Sequence, residues 1–105
     1  MTDSEFEVLA DAALAALERA AEDLDLDLQH KAAGVLELEF DDGSKMIVNR
    51  HAAAREIWVA AKSGGFHFRH DGRAWHDTRD GTELFAALSR LVSAQSGKPV
   101  SLAPD

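Results

Sequence analysis

Along the first stretch of the chain the apolar residues recur with the period of a helix. Phe6, Leu9, Ala10, Ala13, Leu17, Ala20 and Ala21 fall on one stripe. Ser4 with Glu7 three residues on has the spacing of a capping box, so a helix is predicted from about Glu5 to about residue 22. The period then changes to two. Residues 23–28 read Asp-Leu-Asp-Leu-Asp-Leu, the alternation of a half-buried strand. A turn over 31–34 leads to a strand over 35–40, with Leu36, Leu38 and Phe40 inward and Glu37 and Glu39 outward. Asp42-Gly43 is a hairpin signal before a strand over 45–49. A connection over 50–55 precedes a strand over 56–61, and Ser63-Gly64-Gly65 turns into a strand over 66–70. Asp71-Gly72 marks another hairpin, into 74–77. Thr82, or Asp80 just before it, caps a second helix running to about Ser96, with Leu84, Phe85, Leu88, Leu91 and Val92 as its buried side. Gly97 ends this helix and Pro99 prevents its resumption; Val100 and Leu102 beyond it could dock on the helices. The expected fold is α+β: an N-terminal and a C-terminal helix packed on one face of a five- to six-stranded antiparallel sheet, in one domain over 1–105.

A sheet covered on one face leaves the other to solvent. In the strand over 56–61, Ile57, Val59 and Ala61 point inward, so Trp58 points out. Asn49 joins it if the side of the preceding strand carrying Lys45, Ile47 and Asn49 is also the outer one. An outward Trp is either an interface anchor or a cross-strand cover for a neighbour such as Arg50, and the residues alone leave both open. Trp75, on a short strand, is expected to be structural.

Charge changes the picture at the N-terminus. Residues 1–28 hold nine carboxylates (Asp3, Glu5, Glu7, Asp11, Glu18, Glu22, Asp23, Asp25 and Asp27) against one cation, Arg19, whereas the remaining residues balance ten acids with ten bases. The formal charge of −8 therefore belongs to one quarter of the molecule. On a helix, Asp3, Glu7, Asp11, Glu18 and Glu22 fall within an arc of about 100°. Asp25 and Asp27 would extend this ridge from the outer face of the following strand, about 7 Å apart. A solvated helix face is the plain explanation, but Glu18, Glu22 and Asp23 crowd a helix C-terminus, where negative charge opposes the macrodipole by about 0.3–1 kcal/mol per group. Such a field suits metal ions or a basic partner surface.

Cysteine is absent, which excludes disulfides, thiolate catalysis and direct cysteine ligation of a cluster. No apolar run approaches 18 residues and the first residues are acidic, so neither a membrane span nor a targeting leader is expected, and the chain is expected to be cytoplasmic. A pI near 5.0 with no basic cluster argues against a nucleic-acid partner.

Several segments taken together are similar to one family. Gly43-Ser44-Lys45, Asn49-Arg50, Ile57-Trp58-Val59-Ala60 and Gly64-Gly65-Phe66-His67-Phe68 resemble the central signature of frataxin. The opening Asp3-Ser4-Glu5-Phe6, with Leu9-Ala10-Asp11, is similar to its bacterial, CyaY-type form, and the resemblance covers essentially the whole chain. His51 and Glu56 stand where the family usually has Gln, and Ala53 lies near its usual Pro. The resemblance implies an iron-binding regulator of iron–sulfur cluster assembly, not an enzyme, that docks on the cysteine desulfurase and its scaffold protein. By position it places the acidic ridge at Glu18, Glu22, Asp23, Asp25 and Asp27, with Asp3, Glu7 and Asp11 upstream. Partner contact maps to Asn49 and Trp58, with Glu18 and Glu22 serving docking as well.

Carboxylates are hard ligands that accept ferric or ferrous iron, and exposed ones should hold several ions weakly. No organic cofactor is expected. An iron carrier or store is the alternative function; a ferroxidase has less support, because no acid, base and nucleophile converge. The chain is expected to be a monomer, with iron-driven oligomers left open. His70 and His76 flank a hairpin and could meet across it, and His67 reads as an ordinary outward residue.

Overall fold

Periodicity and fold agree in element order. In a computed structural model, which describes residues 1–104, α1 (Asp3–Asp23) is followed by β1 (Asp27–Ala32), β2 (Val35–Glu39), β3 (Lys45–His51), β4 (Glu56–Ala61), β5 (Gly64–His70), β6 (Trp75–Asp77) and α2 (Leu84–Ser96). The strands form a single antiparallel sheet in chain order. Its inner residues Leu36, Leu38, Met46, Val48, Ile57, Val59 and Phe68 are buried with Phe6, Leu14 and Leu17 of α1 and Leu84, Leu88 and Val92 of α2. Both helices therefore cover one face, and alternation assigns every other strand residue to the opposite one. Trp75 is structural: its ring meets Phe6 edge-on at 5.9 Å between centroids and joins β6 to α1. The C-terminal tail docks. Leu102 is buried, and the Ser89 and Ser93 hydroxyls accept from the Leu102 and Val100 amides at 2.8 Å. No helix among the described residues is long and apolar enough to cross a membrane.

Several local details differ from the expectations above, among them β1, which runs to Ala32 into the expected turn over 31–34. The helix starts earlier, because Thr2 rather than Ser4 is the cap: its hydroxyl accepts from the Glu5 amide while the Glu5 carboxylate accepts from the Thr2 amide. The Asp-Leu repeat is not one strand. α1 continues through Asp23, and the amides of Leu24 and Leu26 both bond the Ala21 carbonyl. Asp25 takes a left-handed φ of 55° in that turn, so β1 begins only at Asp27. Strand alternation cannot persist where a helix C-terminus still has carbonyls to satisfy. α2 is capped by Glu83, whose carboxylate accepts from the Phe85 and Ala86 amides, rather than by Thr82 or Asp80. Finally, β3 runs two residues past Asn49 to His51, and β5 begins at Gly64 instead of turning there.

The turn between β1 and β2 explains one glycine. Gly34 has φ +73°, and a Cβ there would lie 2.7 Å from Arg50 Cγ. Gly43 has a comparable φ of +84° but faces open space. Gly43→Ala should cost about 1–2 kcal/mol for the left-handed backbone alone. Gly34→Ala should cost more in urea unfolding, since it also displaces Arg50. Equal losses would mean that Arg50 swings aside freely.

Candidate functional site

The acids of the N-terminal quarter do not form one uniform ridge. Arg50, on the inner side of β3, lays its stem over Gly34 and pairs its guanidinium with Asp11, with Glu7 at 3.9 Å. Arg55, in the turn after β3, holds Asp3 at 2.8 Å and also bonds the Met1 carbonyl. His30 of β1 reaches Glu18 at 2.8 Å. The upstream acids Asp3, Glu7 and Asp11 thus carry counterions supplied from distant sequence. Glu22, Asp23, Asp25 and Asp27 form no ion pair among the described residues, and the last turn of α1 has no basic residue.

Sheet register adds two acids to this downstream half. Asp27 stands directly opposite Glu39, a same-charge pairing that destabilises an antiparallel ladder. Asp25, Asp27, Glu39 and Asp41 line one groove of about 420 Å³, where Lys98 lies 3.8 Å from Asp41. Alternation marks Glu39 as outward, but only the β1–β2 register places it beside Asp27. Hard oxygen donors of this kind accept iron. No three His, Asp or Glu side chains among the described residues are gathered into a preformed metal site.

The open face of the sheet is organised around Trp58. Register places Trp58 between Asn49 on β3 and His67 on β5. The half-buried indole lies flat between two imidazoles, with centroids 3.7 Å from His51 and 4.5 Å from His67 and interplanar angles of 11° and 10°. Its Nε1–H donates to Glu56 Oε1 at 2.9 Å, while Arg69 Nη2 donates to Glu56 Oε2 at 2.9 Å. His67 Nδ1 lies 3.5 Å from the same Oε1. Asn49 donates its side-chain amide to the Arg50 carbonyl at 3.2 Å. Trp58 does not lie over Arg50, which points through the other face toward α1; its cross-strand neighbours are histidines. Burial alone would push the Glu56 carboxyl up. The bonds from Trp58 and Arg69 and the charges of Arg69 and His67 outweigh it and hold the group below its ordinary value.

The sequence reading leaves His51 in a connection and treats His67 as ordinary; extending β3 by two residues is what brings His51 beside Trp58. The His70 and His76 pairing is overturned. Register sets His70 against Trp75 and Arg69 against His76, and His76 instead pairs with Asp71 at 3.1 Å.

Comparison with known proteins agrees with this architecture. A sequence model of the frataxin-like domain matches residues 1–98. The chain is 57% identical over 104 residues to "Iron-sulfur cluster assembly protein CyaY" of Dechloromonas aromatica, covering 97% of this chain and 99% of that protein. It is 51% identical over 105 residues to the protein of the same name from Paraburkholderia phymatum, covering 99% and 100%. Among solved structures it resembles frataxin from Psychromonas ingrahamii, with a TM-score of 0.88 at 32% identity over 98% of this chain and 99% of that one. It also resembles a trimeric frataxin from the yeast Saccharomyces cerevisiae described as "complexed with ferrous", with a TM-score of 0.69 at 28% identity over 85% and 86%.

The Glu56 network has an acid signature. A carboxyl held below its ordinary value of 4.5 stabilises the fold above that pH, and the contribution is lost as pH falls through the lowered value. Urea stability of the wild type should therefore decline below about pH 4.5, and Glu56→Gln should flatten part of that decline. Asp42, held down to about 2 by its bonds with Ser44, accounts for a further part. Superimposable profiles for wild type and Glu56→Gln would show that the network is not formed in solution.

Proposed function

The chain belongs to the frataxin-like family, and on that premise we propose that it acts in iron–sulfur cluster assembly as an iron-responsive regulator, docking on the cysteine desulfurase and its scaffold protein. The observation that carries this reading is the division of the N-terminal acids into a compensated and an uncompensated half. Selection for stability would have distributed Arg50- and Arg55-like partners along the whole row. Instead Glu22, Asp23, Asp25 and Asp27, joined by Glu39, leave a concentrated negative field at one end of the molecule, where the neighbouring Asp41 is met by Lys98 at 3.8 Å. A field of this kind recruits either iron or a basic protein patch, and an ion bound there adjusts how strongly the patch is drawn.

In this reading Glu18, Glu22, Asp23, Asp25 and Asp27 hold iron weakly, and Asp3, Glu7 and Asp11 contribute little while Arg50 and Arg55 occupy them. Asn49 and Trp58 form the second contact, on the central strands β3 and β4, and add slow dissociation to the fast, salt-dependent encounter driven by the acids. Iron is bound as an effector and released, in keeping with exposed carboxylates and the lack of a preformed cage.

Four outcomes test the proposal. In an amide NMR titration with the cysteine desulfurase of the same organism, salt-sensitive changes should run along residues 18–27. Silence there, with iron still perturbing the same amides, would favour an iron carrier instead. Manganese should broaden amides around Glu22–Asp27 well before those around Asp3–Asp11, and Arg50→Gln should reduce the difference; uniform broadening would remove the division of the ridge. Reversing charge with Glu18→Lys and Glu22→Lys should slow association by about tenfold or more at low salt. Trp58→Ala should speed dissociation from the scaffold protein while leaving the fold cooperative, and unchanged dissociation would exclude Trp58 from the interface.

A further inference from the structure

Glu56 is a buried carboxylate on an otherwise solvated sheet face, and the core does not use it. Its two oxygens are divided between functions. Oε2 is taken by Arg69, whereas Oε1 accepts the Trp58 indole N–H at 2.9 Å and lies 3.5 Å from His67 Nδ1. We infer that Glu56 is the positioning residue of Trp58: it fixes the indole flat between His51 and His67, and through Oε1 it makes the indole respond to protonation of His67. The inference rests on the reading of Trp58 as a docking residue only for its consequence in binding; the positioning itself belongs to the free protein.

The two imidazoles that sandwich the indole differ in what protonation does to them. His51 Nδ1 accepts the Ala54 amide at 3.2 Å, and a proton on that nitrogen would break the bond that orients the ring. His67 Nδ1 has no such bond, and once the ring is cationic it must carry an N–H directed at Glu56 Oε1. A charged donor then shares Oε1 with the neutral indole N–H; the oxygen has a lone pair for each, but the charge-assisted bond is the stronger and sets where the oxygen sits. The cation also lies over the indole face, at 4.5 Å between centroids, where it is attracted by the ring quadrupole. Acid therefore draws Glu56 toward His67 and loosens the bond that sets the indole edge. The response follows protonation of the His67 ring, and histidine is the side chain suited to such a switch.

The other charged groups around the stack leave Oε1 to these two donors. Arg69 of β5 occupies Oε2, and His76, opposite Arg69 on β6, is engaged by Asp71. Arg79, beyond β6, donates to the Gly65 carbonyl and lies over the Phe66 ring. Neither helix presents a charge to this face, since both cover the other one. In binding, the consequence is that docking through Trp58 weakens on acidification, as the indole loses its fixed edge contact.

The test uses the full chain labelled for NMR. As pH falls from about 8 to about 5.5 the Trp58 indole N–H resonance should move upfield, with the midpoint of the His67 ring, while the Trp75 resonance stays put. Glu56→Gln keeps an acceptor oxygen but no charge: contacts from Trp58 to both imidazoles should persist, with the pH response cut to about half or less. His67→Gln should abolish the response. Glu56→Ala should lose the contacts from Trp58 to the imidazoles. If that variant does not fold, the Gln variant and His67→Gln carry the test. A flat Trp58 resonance in the wild type, or full contacts and full response without the Glu56 carboxylate, would overturn the inference. Affinity for the scaffold protein, measured at both pH values, separates the two claims. A moving indole with pH-independent affinity would retain the positioning role and remove Trp58 from docking.

Discussion

Burial of the inner sheet face under two helices is the constraint on which the rest of this molecule depends. Seven inner residues, from Leu36 to Phe68, and the apolar stripe of α1 exclude water together, and Phe6 against Trp75 joins the first element to the last strand. With one face closed, a slip of one residue in any strand would exchange its core and solvent sets, so register is strongly specified. The same alternation that buries Ile57 and Val59 sends Glu56 and Trp58 to the outer side, where a Trp and a carboxylate settle against each other. The arrangement of the open face is thus a by-product of packing the other face.

Charge is arranged against stability in one place and with it in another. Arg50 and Arg55 come from β3 and the turn that follows, and they tie down the first half of α1 by pairing with Asp3, Glu7 and Asp11. Pairs this exposed contribute little each, about 0–1 kcal/mol, but they cancel the field locally. Among the described residues Glu22, Asp23, Asp25 and Asp27 form no such pair, and Asp27 against Glu39 adds repulsion inside the sheet itself. Asp25 is even held in a left-handed conformation that favours glycine. Negative charge at the end of α1 thus continues onto the open face of the sheet, where Asp27 and Glu39 lie on the edge pair β1–β2 and Trp58 on the more central β4. Two regions of different chemistry, one electrostatic and one aromatic, therefore stand on one small protein.

Much of this was legible in the sequence because it depends on local periodicity. Phe6, Leu17, Leu36, Leu38, Ile57, Val59 and Leu88 announce their faces by spacing alone, and Gly97 stops α2 because its left-handed φ of 74° suits glycine. The outward position of Trp58, the acidic bias of the first quarter and the likeness to the frataxin family are likewise properties of residue order. Where local signals competed, spacing misled. Ser4 and Thr2 both precede a Glu by three residues, and the better-placed hydroxyl won; the Asp-Leu repeat alternates like a strand, but its first residue is held in the helix and the next two in the turn that ends it.

Tertiary structure alone decided which charges meet. Arg50 and Asp11 are 39 residues apart, and Arg55 and Asp3 are 52 apart. No periodicity relates them, because an ion pair depends on distance in space and the chain closes that distance only when the sheet packs on α1. The partition of the acidic row, the Asp27–Glu39 opposition and the His51–Trp58–His67 stack all follow from register and packing. Sequence determined which residues face outward; the fold determined what each of them faces.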